Sequence, residues 1–195
     1  MKKALFLDRD GTINKMIKKH SRHYGKIIDD TPFNTREVLF NEGVKELVDS
    51  AKEKGYKIII ITNQPSVIRG DLSLKDYEDI TKKICEFLGL ERSAVFECFH
   101  REGYSMECNC RKPAPGLLFM AKGVHGIDLK NSIMVGDSWR DIVAGKSAGV
   151  NKTVFLRRKQ NKYQLGNLES EQKMEKEGIK PDQKIDSLSE LLDLL

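Results

Sequence analysis

The chain carries two carboxylates at a spacing that suits nucleophilic and acid–base chemistry. Asp8 and Asp10 follow directly after the apolar run 4–7 and are separated by one residue. Gly11 lets the backbone turn there, so both carboxylates can face one site. One of them can then serve as a nucleophile. The other can give a proton to a leaving group and later take one from water. The spacing therefore predicts a catalytic pair at the end of a strand.

Other polar residues stand where two further apolar runs end. In open α/β sheets, ligands bind at the carboxyl ends of the strands, so we expect these residues to meet Asp8 and Asp10 at one edge of the sheet. They offer a hydroxyl, two amides and a third carboxylate: Thr62, Asn63, Gln64 and Asp137. A loop between the runs adds two cations, Arg111 and Lys112.

A divalent cation is expected among these carboxylates. Asp8, Asp10 and Asp137 would repel one another, and their pKa values would rise, unless a hard cation neutralised them. Oxygen ligands with room for water and a phosphate oxygen favour Mg²⁺. A carboxylate can then attack phosphorus while Lys112 and the Thr62 hydroxyl stabilise the transferring group. The alternative interpretation is that these residues cap helices and form turns, but their repetition after successive buried runs favours catalysis.

The cysteines form a second group with the spacing of metal ligands. Disulfides are not expected in an intracellular chain. Two close pairs, C-x-H and C-x-C, consist of Cys98, His100, Cys108 and Cys110. Three thiolates and one imidazole complete a tetrahedral Zn²⁺ shell with no open position, which predicts a structural zinc site. The alternative is a set of reduced, buried cysteines with a surface histidine. Cys85 stands apart on a predicted helix and is assigned to the core.

Short apolar runs alternate with helical patterns along the chain. The runs of strand length are 4–7, 58–61, 133–135 and 153–156, and helices are predicted over 44–54, 73–88, 115–126 and 139–148. Ser73 and Asp76 match a capping box at the start of one helix. Unbroken apolar runs suit strands buried on both faces of a parallel sheet. The alternation predicts an α/β fold with a doubly wound, mainly parallel sheet in a single domain, residues 1–195.

Two stretches do not follow this pattern. Residues 14–41 begin with a basic cluster, 15–26, and have no clean period. This cluster either reaches a phosphate group or is simply solvated. Residues 157–183 are charge-rich and are predicted to form an exposed excursion, before a short strand near 184–185 and a terminal helix from Ser187.

The composition excludes several classes of protein. The 195 residues suffice for one compact domain. Lys and Arg number 34 against 29 Asp and Glu and are interspersed, so the net charge of +5 favours attraction of phosphate over a polynucleotide surface. Aromatic residues make up only 7%, which also argues against nucleic-acid binding. No apolar run could span a bilayer, and no signal peptide is recognised. We therefore expect a cytoplasmic monomer that binds neither membrane nor nucleic acid.

The ordered motifs resemble those of a known superfamily. Residues 8–12, Asp-Arg-Asp-Gly-Thr, match the D-x-D-G-T signature of haloacid dehalogenase superfamily phosphatases. The second, third and fourth motifs are matched in the right order by Thr62, Lys112 and Gly136-Asp137 with Asp141. The resemblance covers the chain from about residue 3 to about residue 156 and implies a Rossmann-like core.

This resemblance implies a reaction and a metal. The activity would be that of a Mg²⁺-dependent phosphatase, with Asp8 as the nucleophile that becomes an aspartyl-phosphate and Asp10 as the general acid and base. The implied metal ligands are Asp8, the main-chain carbonyl of Asp10, and Asp137. Large cap domains of this superfamily enter at two gaps that are short here, so we expect a capless enzyme whose loops select the substrate.

A closer resemblance lies around the cysteines. The segments Thr62-Asn63-Gln64, Cys98-Phe99-His100 and Cys108-Asn109-Cys110-Arg111-Lys112-Pro113 are similar to those of D-glycero-D-manno-heptose-1,7-bisphosphate phosphatases and the related histidinol-phosphate phosphatases. This similarity implies a structural zinc in the loop at about 98–110. It also implies that Arg111 contacts substrate and that Lys112 steadies the phosphoryl group, and we expect Asn63 and Gln64 to bind substrate as well.

The resemblances lead to a ranked set of functions. First is hydrolysis of a sugar bisphosphate, D-glycero-D-manno-heptose 1,7-bisphosphate, to the 1-phosphate. Histidinol phosphate is the alternative substrate, and a polynucleotide 3′-phosphatase or a zinc-containing nucleic-acid module is more remote. Pro65 and the stretches 14–41 and 157–183 depart from the family pattern. We also expect the zinc loop to fix the backbone that presents Arg111 and Lys112.

Overall fold

The computed structural model of the chain describes residues 2–20, 25–101, 108–159 and 166–195. Its strands are β1 (Ala4–Leu7), β2 (Ile17–His20), β3 (Ile27–Asp30), β4 (Lys57–Asn63), β5 (Val95–Cys98), β6 (Ile133–Gly136), β7 (Lys152–Leu156) and β8 (Gln183–Ile185). Six of them form one parallel sheet in the order β5-β4-β1-β6-β7-β8, and β2 pairs with β3 as an antiparallel hairpin. The predicted doubly wound parallel sheet is confirmed.

Helices cover the sheet. The α-helices are α1 (Val44–Glu53), α2 (Pro65–Ile68), α3 (Leu74–Leu88), α4 (Gly116–His125), α5 (Trp139–Ala148) and α6 (Leu168–Glu177). Ser73 caps α3 by accepting a hydrogen bond from the Asp76 amide, as the capping pattern predicts. The helix predicted from Ser187 is a 3₁₀ helix, Leu188–Leu194. No helix in the described part of the chain is both long and apolar enough to cross a membrane.

The central strands are buried on both faces, which explains their unbroken apolar sequences. Leu5 and Leu7 of β1 point into one core, which also contains apolar residues of α1 and α3. Ala4 and Phe6 point into a second core, which contains residues of α4 and α5. Because side chains alternate along a strand, both faces of β1 must be apolar.

The strand order places the candidate catalytic residues at a crevice. The chain adds β4 and β5 on one side of β1, then β6, β7 and β8 on the other, so the strand order reverses between β1 and β6. Ligand sites lie outside the carboxyl ends of the strands at such a point. Leu7 is paired with Val135, so the residues that follow β1 and β6 emerge side by side.

The two irregular stretches both contain regular structure. Residues 14–41 include the hairpin β2–β3, and Lys19 fixes it by donating hydrogen bonds to the Thr31 carbonyl and the Glu37 carboxylate. Residues 157–183 include α6 and lead into β8, the short strand predicted near 184–185. The sequence predicts neither the hairpin nor α6: the two hairpin strands have four residues each, and α6 buries only Met174, so neither has a periodic apolar pattern.

Candidate active site

Three buried carboxylates meet at the crevice between β1 and β6. Asp8 follows β1, Asp137 follows β6, and Asp141 lies in the first turn of α5. One oxygen of each lies within 4.8 Å of the others. Glycine permits this approach: a Cβ atom on Gly11 would overlap the Asp137 carboxylate, and Gly11 has a positive φ of 104°. A Cβ atom on Gly136 would likewise overlap Asp141.

The electrostatics of this carboxylate group fit a divalent cation. Burial raises the pKa of Asp8 well above its ordinary value, and the charges of Asp141 and Asp137 raise it further, although Lys112 opposes them. Burial also raises the pKa of Asp137, against the attraction of Arg158. The ionised forms are therefore costly unless another cation lies close by. Oxygen donors alone form the group, which suits Mg²⁺. Asp141 is a member of it, whereas the side chain of Asp10 is not.

Lys112 joins two of the three carboxylates. Its Nζ lies 2.6 Å from Asp8 Oδ1 and 2.6 Å from Asp141 Oδ1, and it donates to the Ile61 carbonyl at 2.9 Å. The residue is only 3% exposed. Although burial alone would lower the pKa of Lys112, the charges of Asp141 and Asp8 raise it above its ordinary value. Lys112 is thus a fixed, buried cation beside Asp8.

Asn63 holds the backbone that carries Lys112. Its Oδ1 accepts from the Lys112 amide, and its Nδ2 donates to the Lys112 carbonyl, both at 3.0 Å. Asn63 also lines the cavity, where the sequence predicts a contact with substrate. The geometry gives Asn63 a second task, because it ties the end of β4 to the loop that presents Lys112.

Asp10 is held as an ionised carboxylate by its own neighbours. Arg9 lies 2.9 Å from its Oδ2, Gln64 Nε2 donates to the same oxygen at 2.6 Å, and Asn14 Nδ2 donates to Oδ1 at 3.0 Å. Although burial raises the pKa of Asp10, Arg9 and the hydrogen bonds from Asn14 and Gln64 outweigh it and lower the pKa below its usual value. The carboxylate faces the cavity in a fixed orientation.

Thr62 and Gln64 are both buried at the end of β4. Gln64 Nε2 donates to Thr62 Oγ1 at 2.8 Å as well as to Asp10. The sequence predicts Gln64 as a substrate-binding residue; its amide nitrogen is instead directed at two other site residues. Thr62 lines the cavity next to Asp8, where the sequence places it.

The candidate catalytic residues open into a cavity of about 570 Å³ that is rich in charge. Its cations, apart from Lys112, are Lys26, Arg69, Arg111, Arg140 and Arg158. Its walls include the hairpin β2–β3 and the start of α6, so both stretches that lack a family counterpart contribute to the site. Arg22 and His23 of the predicted basic cluster lie outside the described residues.

Arg158 is a site residue that the sequence analysis does not identify. Its Nε donates to Asp137 Oδ2 at 2.6 Å, and its Nη1 donates to Asp29 Oδ2 at 2.9 Å. Arg158 comes two residues after the end of β7, so the rule that strand ends meet at the site would have found it. The sequence does not point to Arg158 because the charge-rich composition of residues 157–183 predicts an exposed segment.

The four predicted zinc ligands come together as a compact group. The distances among Cys98 Sγ, His100 Nδ1, Cys108 Sγ and Cys110 Sγ all lie between 3.1 and 3.6 Å. Six similar distances are those of the corners of a tetrahedron, the arrangement that a structural Zn²⁺ requires. Although burial opposes it, hydrogen bonds to the Cys108 sulfur lower its pKa to about 7. Residues 102–107 of the predicted zinc loop lie outside the described part of the chain.

Arg111 connects this sulfur–imidazole group to the cavity. Its amide donates to Cys108 Sγ at 3.3 Å, and its Nη1 donates to the His100 carbonyl at 3.2 Å. The same residue lines the cavity. Arg111, the predicted substrate-contacting arginine, thus contacts the sulfur–imidazole group and also lines the cavity that contains the carboxylate group.

Two curated relatives of this chain carry closely related names. The chain is 39% identical to a D-glycero-beta-D-manno-heptose-1,7-bisphosphate 7-phosphatase of Helicobacter pylori, over 79% of this chain and 83% of that protein. It is 35% identical to a D-glycero-alpha-D-manno-heptose-1,7-bisphosphate 7-phosphatase of Photorhabdus laumondii, over 80% and 82%. These sequence identities confirm the resemblance to heptose bisphosphate phosphatases.

Structural similarity extends over nearly the whole chain. The fold matches D,D-heptose 1,7-bisphosphate phosphatase from B. bronchiseptica, solved with magnesium and phosphate, with a TM-score of 0.70, 21% identity, and coverage of 98% of this chain and 97% of that one. A putative HAD-like phosphatase from Mesorhizobium loti gives a TM-score of 0.70 at 26% identity, over 98% and 84%. The model of haloacid dehalogenase-like hydrolases matches residues 18–149, and a related model matches 109–191. This chain therefore belongs to the haloacid dehalogenase-like hydrolase family.

Proposed function

We propose that this hydrolase is a Mg²⁺-dependent phosphatase that converts D-glycero-D-manno-heptose 1,7-bisphosphate to the 1-phosphate through an aspartyl-phosphate on Asp8. The observation that carries the proposal is the placement of Asp8, Asp10 and Lys112 in one cavity at the reversal point of the sheet. The names of the curated relatives support the choice of substrate.

The first step is transfer of the phosphoryl group to Asp8. A carboxylate oxygen of Asp8 forms a bond to phosphorus as the bond to the sugar oxygen breaks. Lys112, 2.6 Å from Asp8, stabilises the negative charge of the transferring group, and the Thr62 hydroxyl can donate to one of its oxygens. Mg²⁺ held by Asp8, the Asp10 main-chain carbonyl and Asp137, with Asp141 beside them, would supply further positive charge at this position.

Asp10 moves the protons of both half-reactions. The negative charge of the bound phosphate favours protonation of Asp10, and this protonated form gives its proton to the departing sugar oxygen. The carboxylate that results then takes a proton from the water that attacks the phosphorus of the aspartyl-phosphate. The bond to Asp8 breaks and inorganic phosphate leaves. Gln64 and Asn14 fix the two oxygens of Asp10, and Arg9 favours the ionised form that the second half-reaction needs.

The cations around the cavity support a doubly phosphorylated substrate. Lys112 serves the phosphate that is removed, and we assign Arg111, which lines the same cavity, to the second phosphate. Arg69 lines the same cavity and is oriented by hydrogen bonds to Asp71 and Ser66. A substrate with two phosphates uses this charge better than one with a single phosphate.

A substrate panel tests the proposal. With Mg²⁺ present, kcat/KM would be compared for both anomers of heptose 1,7-bisphosphate, fructose 1,6-bisphosphate, histidinol phosphate and a 3′-phosphorylated oligonucleotide. We expect a heptose bisphosphate to give the highest kcat/KM. Preference for histidinol phosphate would replace the proposed substrate and keep the reaction. Preference for the oligonucleotide, with binding that falls steeply with salt, would overturn the small-molecule assignment.

A further inference from the structure

We propose that Arg158 is a positioning residue that orients Asp137 and couples it to the hairpin β2–β3 through an Asp29–Arg158–Asp137 chain of charges. The inference rests on the proposed function in one respect, since it takes Asp137 to be a ligand of the catalytic Mg²⁺. It goes beyond that function because it assigns a role to two residues outside the family motifs.

The contacts of Arg158 reach segments that are far apart in sequence. The guanidinium holds Asp137 Oδ2 with Nε and Asp29 Oδ2 with Nη1, at 2.6 and 2.9 Å. All three side chains are at most 10% exposed. Hydrogen bonds between ionised groups in such surroundings are stronger than neutral ones and fix the direction of both partners. Asp137 is thus oriented from the side of β7.

The backbone of Arg158 is itself fixed by one buried amide. Asn167 Oδ1 accepts from the Arg158 amide at 2.8 Å, and Asn167 Nδ2 donates to the carbonyls of Asp137 and Leu156 at 2.7 and 2.8 Å. Asn167 lies immediately before α6. It joins the ends of β6 and β7 to α6, so Arg158 approaches Asp137 from a rigid support.

Arg158 has two opposing effects on the affinity of the site for Mg²⁺. Its positive charge disfavours a second cation at Asp137, whereas its hydrogen bond holds the carboxylate in one orientation. Asp29, in contact with the same guanidinium, neutralises much of that charge. We therefore expect the orienting effect to exceed the repulsion. Partners of metal ligands typically change metal affinity about 10- to 100-fold when they are lost.

The other end of the chain of charges lies in a wall of the cavity. Asp29 belongs to β3, and residues 26–31 line the cavity beside the catalytic carboxylates. The ion pair between Asp29 and Arg158 therefore fixes the position of the hairpin β2–β3 relative to Asp137. A substrate that contacts the hairpin is held at a defined distance from Asp8.

Calorimetry of Mg²⁺ binding to the substrate-free protein tests the inference. We expect Arg158→Met to weaken Mg²⁺ binding about tenfold or more. Arg157→Met is the matched control, because Arg157 is 42% exposed and pairs with Asp186 on the surface. It should leave the affinity unchanged. Unchanged or tighter binding in Arg158→Met would overturn the proposal, and tighter binding would identify Arg158 as a competing cation.

Two further variants separate positioning from a general loss of structure. Arg158→Lys keeps the charge but has no planar fork to hold two carboxylates, so its Mg²⁺ affinity should lie between wild type and Arg158→Met. Asp29→Asn should weaken Mg²⁺ binding and speed hydrogen exchange in β3. In all three variants, saturating Mg²⁺ should restore kcat to near the wild-type value. A kcat that stays low at saturating Mg²⁺ would contradict a role limited to positioning.

Asp137→Asn distinguishes failure of this inference from failure of the proposed function. If Asp137→Asn abolishes Mg²⁺ binding but Arg158→Met does not weaken it, only the role of Arg158 is wrong. If Asp137→Asn itself leaves Mg²⁺ affinity unchanged, the metal site of the proposed function is wrong, and the role of Arg158 is wrong with it.

Discussion

The two groups of candidate metal ligands in this protein are built in opposite ways. The carboxylates of Asp8 and Asp137 follow strands that are paired in the middle of the sheet, and both side chains are buried. The sulfur–imidazole group comes from one short segment, 98–110, and of its members only Cys98 is buried. The central strands therefore position the first group, whereas the second group depends on one short segment that begins at the end of the edge strand β5.

This difference assigns different tasks to the two proposed metals. Folding forces like charges together in the carboxylate group, which stores an electrostatic cost that a cation and a phosphate can relieve. The sulfur–imidazole group does not include Asp8 or the carboxylates beside it. It lies instead just before the two cations Arg111 and Lys112, which follow directly after Cys110. We infer that Mg²⁺ takes part in the chemistry and that Zn²⁺ supports the cations that assist it.

The largest expected effect comes from the carboxylate group. Asp8→Asn keeps an oxygen that can accept from Lys112 but removes the nucleophile, so kcat should fall by roughly 10⁴-fold or more. Steady-state assays with Mg²⁺ measure this, and circular dichroism checks that the fold is retained. Asp49→Asn, which alters an exposed carboxylate on α1, is the control. Substantial turnover by Asp8→Asn would refute the assignment of the nucleophile.

Loss of zinc should act on stability first and on substrate affinity second. Cys110→Ser removes one of four ligands, and structural zinc contributes directly to folding free energy, so the melting temperature should fall by several degrees or more. KM should rise because Arg111 loses its support at Cys108 and His100. Cys85→Ser, outside the group, is the matched control. If chelator-stripped protein keeps its stability, kcat and KM, the zinc group does not support the site.

A smaller effect is expected at Asn63, which ties the end of β4 to the loop that presents Lys112. Asn63→Ala removes both hydrogen bonds to the Lys112 backbone, and a displaced catalytic group costs on the order of 10²-fold in rate. We expect kcat to fall about 10- to 100-fold. Asn131→Ala, at an exposed asparagine bonded to Asp128, should have no effect. A change confined to KM would indicate that Asn63 acts on substrate rather than on Lys112.

The smallest predicted effect is on the pH dependence of stability without metal. The pKa of Asp8 is raised in the folded protein, so the folded state binds this proton more tightly than the unfolded chain. The stabilising contribution of protonated Asp8 is lost as pH rises through the pKa of Asp8 in the folded protein, and it returns as pH falls. In a chelator, the melting temperature of wild type relative to Asp8→Asn should therefore increase as pH is lowered from neutral towards about 4, the ordinary carboxyl pKa. A difference that stays flat or decreases would contradict the sign.

Sequence patterns predict the central sheet and the candidate catalytic residues because these depend on local signals. Asp8, Asp10 and Asp137 each follow a buried apolar run, and the topology of parallel strands then places them together. The cysteine and histidine pattern is also local, since all four ligands lie within a short segment. Such features need no knowledge of distant contacts.

Other parts of the site depend on contacts that no local pattern reveals. Arg158 meets Asp29 only because the hairpin β2–β3 lies over the end of β7, and neither segment carries a strong periodic signal. The orienting contacts of Gln64 have the same origin, because an amide at a strand end can face either substrate or a neighbouring side chain. The packing around Gln64 decides which of these two partners its amide faces.

The stereochemical course at phosphorus tests most directly whether Asp8 forms an aspartyl-phosphate. A heptose bisphosphate whose 7-position carries a thiophosphate made chiral with two oxygen isotopes would be hydrolysed by the wild-type enzyme with Mg²⁺ in water of the third isotope, so that the released thiophosphate is itself chiral. Transfer to Asp8 followed by transfer to water inverts the phosphorus twice, so we predict net retention of configuration. Net inversion would show a single direct attack by water and would contradict the role of Asp8 as the nucleophile.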